Sequence, residues 1–206
     1  MEEFYSLLRK YNKSSKNIKV PDWTNIYLDS NPPVYWTILS QILKDFPKDN
    51  TIFEIGVGAG DILALIRSIG FTNVKGIERD KQLAVIANKK IEYFFQTQQT
   101  VIHNNYPISI TKPNILLQVN CVYFEDILSN QDYLEMLNSY YQNANPDVFI
   151  LEVIDSSFTK PSEIYPEYVR LSENDIKNTF KNKNIISHIT YQFPQNTSSK
   201  RLYVIS

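Results

Sequence analysis

Thr51-Ile-Phe-Glu-Ile-Gly-Val-Gly-Ala-Gly-Asp61 decides the reading of this chain: an apolar run of strand character breaks into three alternating glycines, and an amphipathic helical pattern follows. Gly56, Gly58 and Gly60 are three of only five glycines in 206 residues. Glycine costs backbone entropy and packs no side chain, so such crowding predicts unusual dihedrals or a ligand that approaches the backbone closely. These three are the first candidate binding positions.

Outward from the turn, Ile62, Leu65, Ile66 and Ile69 share a helical face, Gly70 stops that helix, and Val74 to Glu78 reads as a strand. This is a βαβ unit, which predicts parallel strands and a right-handed crossover. Asp80 caps a further helix to Phe95, with Leu83, Ile86, Ala87, Ile91 and Phe94 inward. Upstream, Phe4, Leu7, Leu8 and Tyr11 have helical spacing, and Pro32-Pro33 open a second helix capped by Ser30 or Asn31. The stretch from Gln96 to Pro113 has no readable pattern. Beyond it come a strand over Ile115 to Phe124, a helix over Asp132 to Tyr141, a strand over Asp147 to Val153 and a loop with Pro161 and Pro166. Ser172 with Asp175 reads as a capping arrangement, and strands over Ile185 to Phe193 and Arg201 to Ile205 close the chain as a hairpin. The alternation predicts an α/β domain with a mostly parallel sheet and an antiparallel C-terminal edge.

The length suits one well-cored domain, expected as a helical cap over 1–50 and an α/β core over 51–206. A net charge of -1 with 21% charged residues exerts no global pull toward nucleic acid or an anionic membrane. One cysteine, Cys121, allows no intramolecular disulfide, and no His, Asp or Glu cluster has metal-ligand spacing, so no metal site is expected. The N-terminus carries Glu2 and Glu3 where a signal peptide would be cationic, and no run reaches the roughly 20 apolar residues of a membrane span. A soluble, cytoplasmic protein is expected.

In a doubly wound sheet, ligands bind beyond the carboxyl ends of the strands. Three positions converge there: the Gly56 to Gly60 turn, Glu78 ending the second strand, and Glu125-Asp126 beyond the third readable strand. Glu78 follows Gly56 by 22 residues, a spacing at which an acid reaches the ribose hydroxyls of a nucleoside. A dinucleotide fingerprint would place its third glycine where Asp61 stands, and an anion at that helix start repels pyrophosphate. No Gly-Lys-Ser/Thr follows either, so the turn suits adenosine with a cationic or zwitterionic tail.

At this point the residues resemble a family, the class I S-adenosylmethionine-dependent methyltransferases. Phe53-Glu-Ile-Gly-Val-Gly-Ala-Gly60 looks like its first motif, Glu78 in Val74-Lys-Gly-Ile-Glu78 like its ribose-binding acid, and Asp126 in Tyr123-Phe-Glu-Asp-Ile127 like the acid beside the adenine. Asp147 to Val153 resembles its fourth strand, whose end faces the substrate; were it the fifth, every assignment after Glu78 would shift. The resemblance implies a Rossmann-like three-layer sandwich with an N-terminal helical lid. It implies S-adenosylmethionine held by Glu54, Gly56, Val57, Gly58, Gly60, Glu78, Arg79, Glu125 and Asp126. It also implies methyl transfer to a small molecule or a protein or peptide side chain, with Glu152 and Asp155 as catalytic candidates able to orient or deprotonate a hydroxyl or amine.

Other features carry less weight. The segment from Asp147 to Phe158 loosely resembles the acidic loop of protein arginine methyltransferases, but Glu163 is misplaced for its second glutamate. His188 reads as structural or solvent-facing, His103 falls in the unreadable stretch, and Tyr27, Tyr35 and Trp36 suit a cover over the cofactor, though packing alone explains Trp36 as well. Arg9 to Lys19 reads as a solvated basic arm. The fourth strand lacks the Asn/Asp-Pro-Pro-Tyr/Phe sequence of base-amino methyltransferases, which disfavours a nucleic acid substrate. Aminopropyl transfer as in spermidine synthase and a non-catalytic cofactor-binding scaffold stand as alternatives. Oligomeric state and the acceptor atom are not indicated.

Overall fold

A computed structural model of the chain describes residues 2–14, 21, 24, 32–121, 127–162, 165–192 and 199–206. It resolves into two compact units, 1–106 and 107–206, the first of which holds both N-terminal helices together with the first strands. The first unit contains α1 (Glu2–Ser14), α2 (Val34–Lys44), β1 (Ile52–Ile55), α3 (Asp61–Ser68), β2 (Val74–Glu78), α4 (Lys81–Phe95) and β3 (Val101–His103). Strand β2 pairs in parallel with β1, Ile52 opposite Val74, and with β3, Gly76 opposite Val101. All four residues of β1 are buried, the expected state of a parallel strand covered on both faces. Helix α3 buries Ile62, Leu63, Leu65 and Ile66. The Asp80 carboxylate caps α4 by accepting the Gln82 and Leu83 N–H groups at 2.7 and 2.9 Å. Helix α1 sets Phe4 and Tyr11 against Phe94 of α4, with ring centroids 5.5 and 5.3 Å apart. The start of α2 differs from expectation: its cap is Pro33, with no side-chain cap bond, in place of Ser30 or Asn31. A prolyl φ already fits the entry to a helix, so no side-chain cap is needed to set it.

The second unit contains β4 (Ile115–Gln118), α5 (Asn130–Ala144), β5 (Val148–Asp155), a 3-10 turn (Glu167–Val169), β6 (Arg170–Leu171), α6 (Glu173–Thr179), β7 (Ile185–Gln192) and β8 (Ser199–Ile205). Strand β5 pairs in parallel with β4 and β6 and antiparallel with β8, which forms the C-terminal hairpin with β7. Every residue of β5 is buried. Ser172 and Asp175 form a reciprocal capping box at α6, as the sequence predicts.

The architecture is α/β, Rossmann-like and largely parallel with an antiparallel C-terminal hairpin. Two strand assignments need correction. The unreadable stretch contains β3, three residues of which only Val101 is buried, too short a run to show a periodic pattern. Its pairing comes from elsewhere: the Gly76 N–H donates to the Thr100 carbonyl at 3.1 Å, and the Asn88 amide bonds both backbone groups of Val101 at 2.8 and 2.9 Å. The strand carrying Glu152 is consequently the fifth in chain order, not the fourth. After the loop read around Pro161 and Pro166, the 3-10 turn leads into the two-residue strand β6.

Candidate functional site

All three glycines of the turn lie at positive φ, 72° at Gly56, 57° at Gly58 and 83° at Gly60, where a side chain is strained. The turn is pinned to β2. Gly56 and Val57 donate N–H bonds to the Ile77 carbonyl at 2.9 and 3.2 Å. The Gly58 N–H donates to Glu78 Oε2 at 2.7 Å, and the other carboxylate oxygen accepts the Asp80 N–H at 2.9 Å. Glu78 thereby ties the turn after β1 to the turn after β2. The Gly60 carbonyl accepts the Ala64 N–H at 3.0 Å, which starts α3.

Beside this turn, Glu54 of β1 is fully buried, and neither carboxylate oxygen has a hydrogen-bond partner among the described residues. Burial, then the nearby Glu78 and Asp61 charges, push its carboxyl well above the ordinary carboxylate range. Buried polar atoms are normally bonded, so an orphan carboxylate next to a strained glycine turn fits a ligand that brings a cationic donor. Asp61, the first residue of α3, pairs with Lys90 of α4 at 2.5 Å.

Arg79 is exposed at the end of β2, where its carbonyl accepts a bond from His103 Nε2 at 3.0 Å. The adjacent Asn104 donates its N–H to the Glu78 carbonyl at 3.1 Å. Sequence reasoning passed over Asn104, because only the pairing of β3 with β2 brings it to Glu78. Within the first unit, then, Glu54, the glycine turn, Glu78 and Arg79 come together. Glu125, Asp126, Glu163 and Tyr27 lie outside the described residues. Tyr35 and Trp36 are buried in α2, and His188 lies in β7 opposite Leu202.

In the second unit, both acidic candidates on β5 are engaged. Glu152 is 2% exposed and accepts the Asn120 N–H at 3.0 Å on one oxygen and the Thr190 hydroxyl on the other. Asn120 adopts a left-handed φ of 52°, and its side-chain oxygen accepts a bond from Lys200 Nζ at 2.7 Å. Asp155 accepts the Ser157 N–H at 3.0 Å and Arg201 Nε at 2.8 Å. Burial alone would raise the Asp155 carboxyl, but the bonds from Ser157 and Arg201 outweigh it and leave it below its usual value. Among the described residues, no group of three His, Cys, Asp or Glu could hold a metal ion.

No family model matches the chain, and no curated protein does. Solved structures do. Magnesium protoporphyrin IX methyltransferase from Synechocystis PCC 6803, with bound S-adenosylhomocysteine, superposes with a TM-score of 0.65 at 14% identity over 98% of this chain and 99% of that one. A S-adenosylmethionine-dependent methyltransferase from Clostridium acetobutylicum gives 0.59 at 12% identity over 98% of both chains. The CcbJ methyltransferase from Streptomyces caelestis gives 0.62 at 10% identity over 86% of this chain and 91% of that one. At such identities the likeness is one of fold, and the fold of this chain is that of the class I, Rossmann-like S-adenosylmethionine-dependent methyltransferases.

Proposed function

We propose that the chain is an S-adenosylmethionine-dependent methyltransferase acting on a small molecule or a protein or peptide side chain through O- or N-methyl transfer. The observation that carries this reading is the glycine turn, held by Glu78 at 2.7 Å from the Gly58 N–H beside the unpartnered, buried Glu54. The acidic lining supports the same donor: the buried Glu54, with no hydrogen-bond partner among the described residues, suits a ligand with an ammonium group. Structural neighbours that carry S-adenosylmethionine or S-adenosylhomocysteine agree with it.

The donor, when bound, supplies a methyl group on a sulfonium whose charge disappears during transfer. The chain's own part is mostly alignment and exclusion of water. Gly56, Val57, Gly58 and Gly60 offer close backbone approach to the methionine portion, and Glu54 takes the ammonium. Glu78 keeps free lone pairs on both oxygens for the ribose hydroxyls while bonding the turn. In chain order the position after the third strand is Asn104, which takes over the adenine side, whereas Glu125 and Asp126 follow the fourth strand. For the acceptor, Asp155 is an ionised carboxylate already bonded by Arg201, suited to orienting a hydroxyl or amine more than to taking its proton. Glu152, with its oxygens bonded to Asn120 and Thr190, braces that region.

A thermal-shift panel of S-adenosylmethionine, S-adenosylhomocysteine, decarboxylated S-adenosylmethionine and NAD tests the reading. The first two at 100 times Kd should add about 2.7 kcal/mol, a rise of about 5–10 °C for a chain of this size. Stabilisation by NAD alone overturns it. A preference for the decarboxylated compound favours aminopropyl transfer, and silence across the panel favours a scaffold.

A further inference from the structure

Lys90 is buried in the first unit, its side chain 0% exposed, with its ammonium 2.5 Å from Asp61 Oδ1. Asp61 opens α3 directly after Gly60, and its side chain keeps 13% exposure. One helical turn before Lys90, on the same face of α4, Ala87 lies against the glycine turn: a Cβ on Gly60 would stand 2.9 Å from Ala87 Cα and Cβ. Helix α4 thus meets the turn at two points, one steric and one charged.

Packing does not require the pair. An ion pair taken out of water recovers its desolvation cost only partly, and two hydrocarbon side chains of similar volume in place of both partners would fill the same space about as stably. The charge matters to what surrounds it. Three carboxylates flank the turn: Glu54, unpartnered; Glu78, bonded to two backbone N–H groups; and Asp61. Lys90 cancels the charge of Asp61, which among the described residues is its ion-pair partner.

We propose that Lys90, acting through Asp61, sets the net charge at the glycine turn and thereby fixes how strongly the site prefers a sulfonium cation over the neutral thioether that the cation becomes. This rests on the methyltransferase reading above. In transfer, the acceptor's lone pair forms the new bond to the methyl carbon, the C–S electron pair stays on sulfur, and the donor's extra positive charge is lost. Each uncancelled negative charge at the turn therefore favours donor over product, and each uncancelled positive charge does the opposite. Because the sulfonium charge fades on the way to the transition state, negative charge that stabilises the bound donor alone also slows the step. Lys90 limits that ground-state hold, as a specificity-determining residue that touches neither donor nor acceptor.

Isothermal titration of the full chain with S-adenosylmethionine and S-adenosylhomocysteine tests this through the ratio of the two Kd values, product over donor. Asp61→Asn leaves Lys90 uncancelled and should lower the ratio; Lys90→Met leaves Asp61 uncancelled and should raise it. The expected change is about fourfold to fifteenfold in each direction, the effect of a unit charge about 10 Å away at an effective dielectric constant of about 20 to 40. The double variant and Lys90→Arg should stay within about twofold of the wild type, less than 0.5 kcal/mol by the usual affinity conversion. Affinities that fall in parallel at a constant ratio mark a purely structural brace and overturn the proposal, as does a shift in the reverse sense. If Lys90→Met does not fold, Asp61→Asn and the double variant still report the sign. Wild type that binds neither ligand sinks the methyltransferase reading together with this one, whereas tight binding of both with an unmoved ratio sinks this one alone.

Discussion

Gly76 is the residue at which the binding turn tolerates least. It lies in β2 with an ordinary φ, yet a Cβ there would stand 2.3 Å from Val57 Cγ2 and 2.8 Å from the Glu54 carbonyl oxygen. Those neighbours are the turn's own residue and the backbone of β1, so the second contact cannot be relieved by a rotamer change. Gly76→Ala should destabilise the chain by about 1–3 kcal/mol through overpacking, a fall in thermal midpoint of about 2–10 °C. It should also weaken S-adenosylmethionine, because Val57 is displaced; a variant with unchanged midpoint and Kd by calorimetry would contradict this. The three glycines of the turn announce themselves by their spacing, whereas Gly76 is demanding only because another strand and a turn press against it.

At the scale of elements, local signals and distant ones separate clearly. The Asp80 cap of α4 and the Ser172–Asp175 box of α6 are written within four residues of sequence, and both form. The segment after β5 is organised differently, by one side chain from β6. The Arg170 guanidinium donates to the carbonyls of Phe158 at 2.6 Å, Lys160 at 2.8 Å and Tyr165 at 2.7 and 2.9 Å, and lies 4.8 Å over the Phe158 ring. Three carbonyls outside any regular strand thus share one planar donor, whose fork geometry a lysine lacks. Replacing it by methionine keeps the bulk and removes the bonds. Arg170→Met should speed chymotryptic cleavage at Phe158 by about tenfold or more, since losing about 1.4 kcal/mol from local opening suffices. An unchanged cleavage rate would show that the segment holds itself.

Over the whole molecule, the pH dependence of stability reports the buried Glu54. Its carboxyl is raised in the folded chain by burial and then by Glu78 and Asp61, so the folded state binds the proton more tightly than the unfolded state does. Stability is then full below the unfolded value of about 4.3 and falls as pH rises toward the folded value, with a slope of at most about 1.4 kcal/mol per pH unit. Asp147 and Glu173, lowered first by their bonds from Lys112 and Lys177, act with the opposite sign and only in the acid range below that value. Glu54→Gln should consequently be the more stable protein in urea unfolding at pH 7 without ligand, with the gap closing toward pH 4, and should lose affinity for S-adenosylmethionine. Equal stability at both pH values would mean that Glu54 is solvated. The sequence by itself determined the strand–turn–helix–strand around Gly56 to Gly60 with its acid at Glu78, the caps of α4 and α6 and the C-terminal hairpin. All of these rest on periodicity and backbone demands within a few residues. Tertiary structure alone decided the rest. Strand β3 exists through its pairing with β2 and the amide of Asn88, and with it the rank of the strand carrying Glu152 and Asp155. The state of each carboxylate was settled in the same way: Glu152 and Asp155 are engaged by Thr190 and Arg201, Asp61 is matched by Lys90, and Glu54 has no hydrogen-bond partner among the described residues. Partners separated by tens of residues meet only when strands and helices pack, and no local pattern encodes such a meeting.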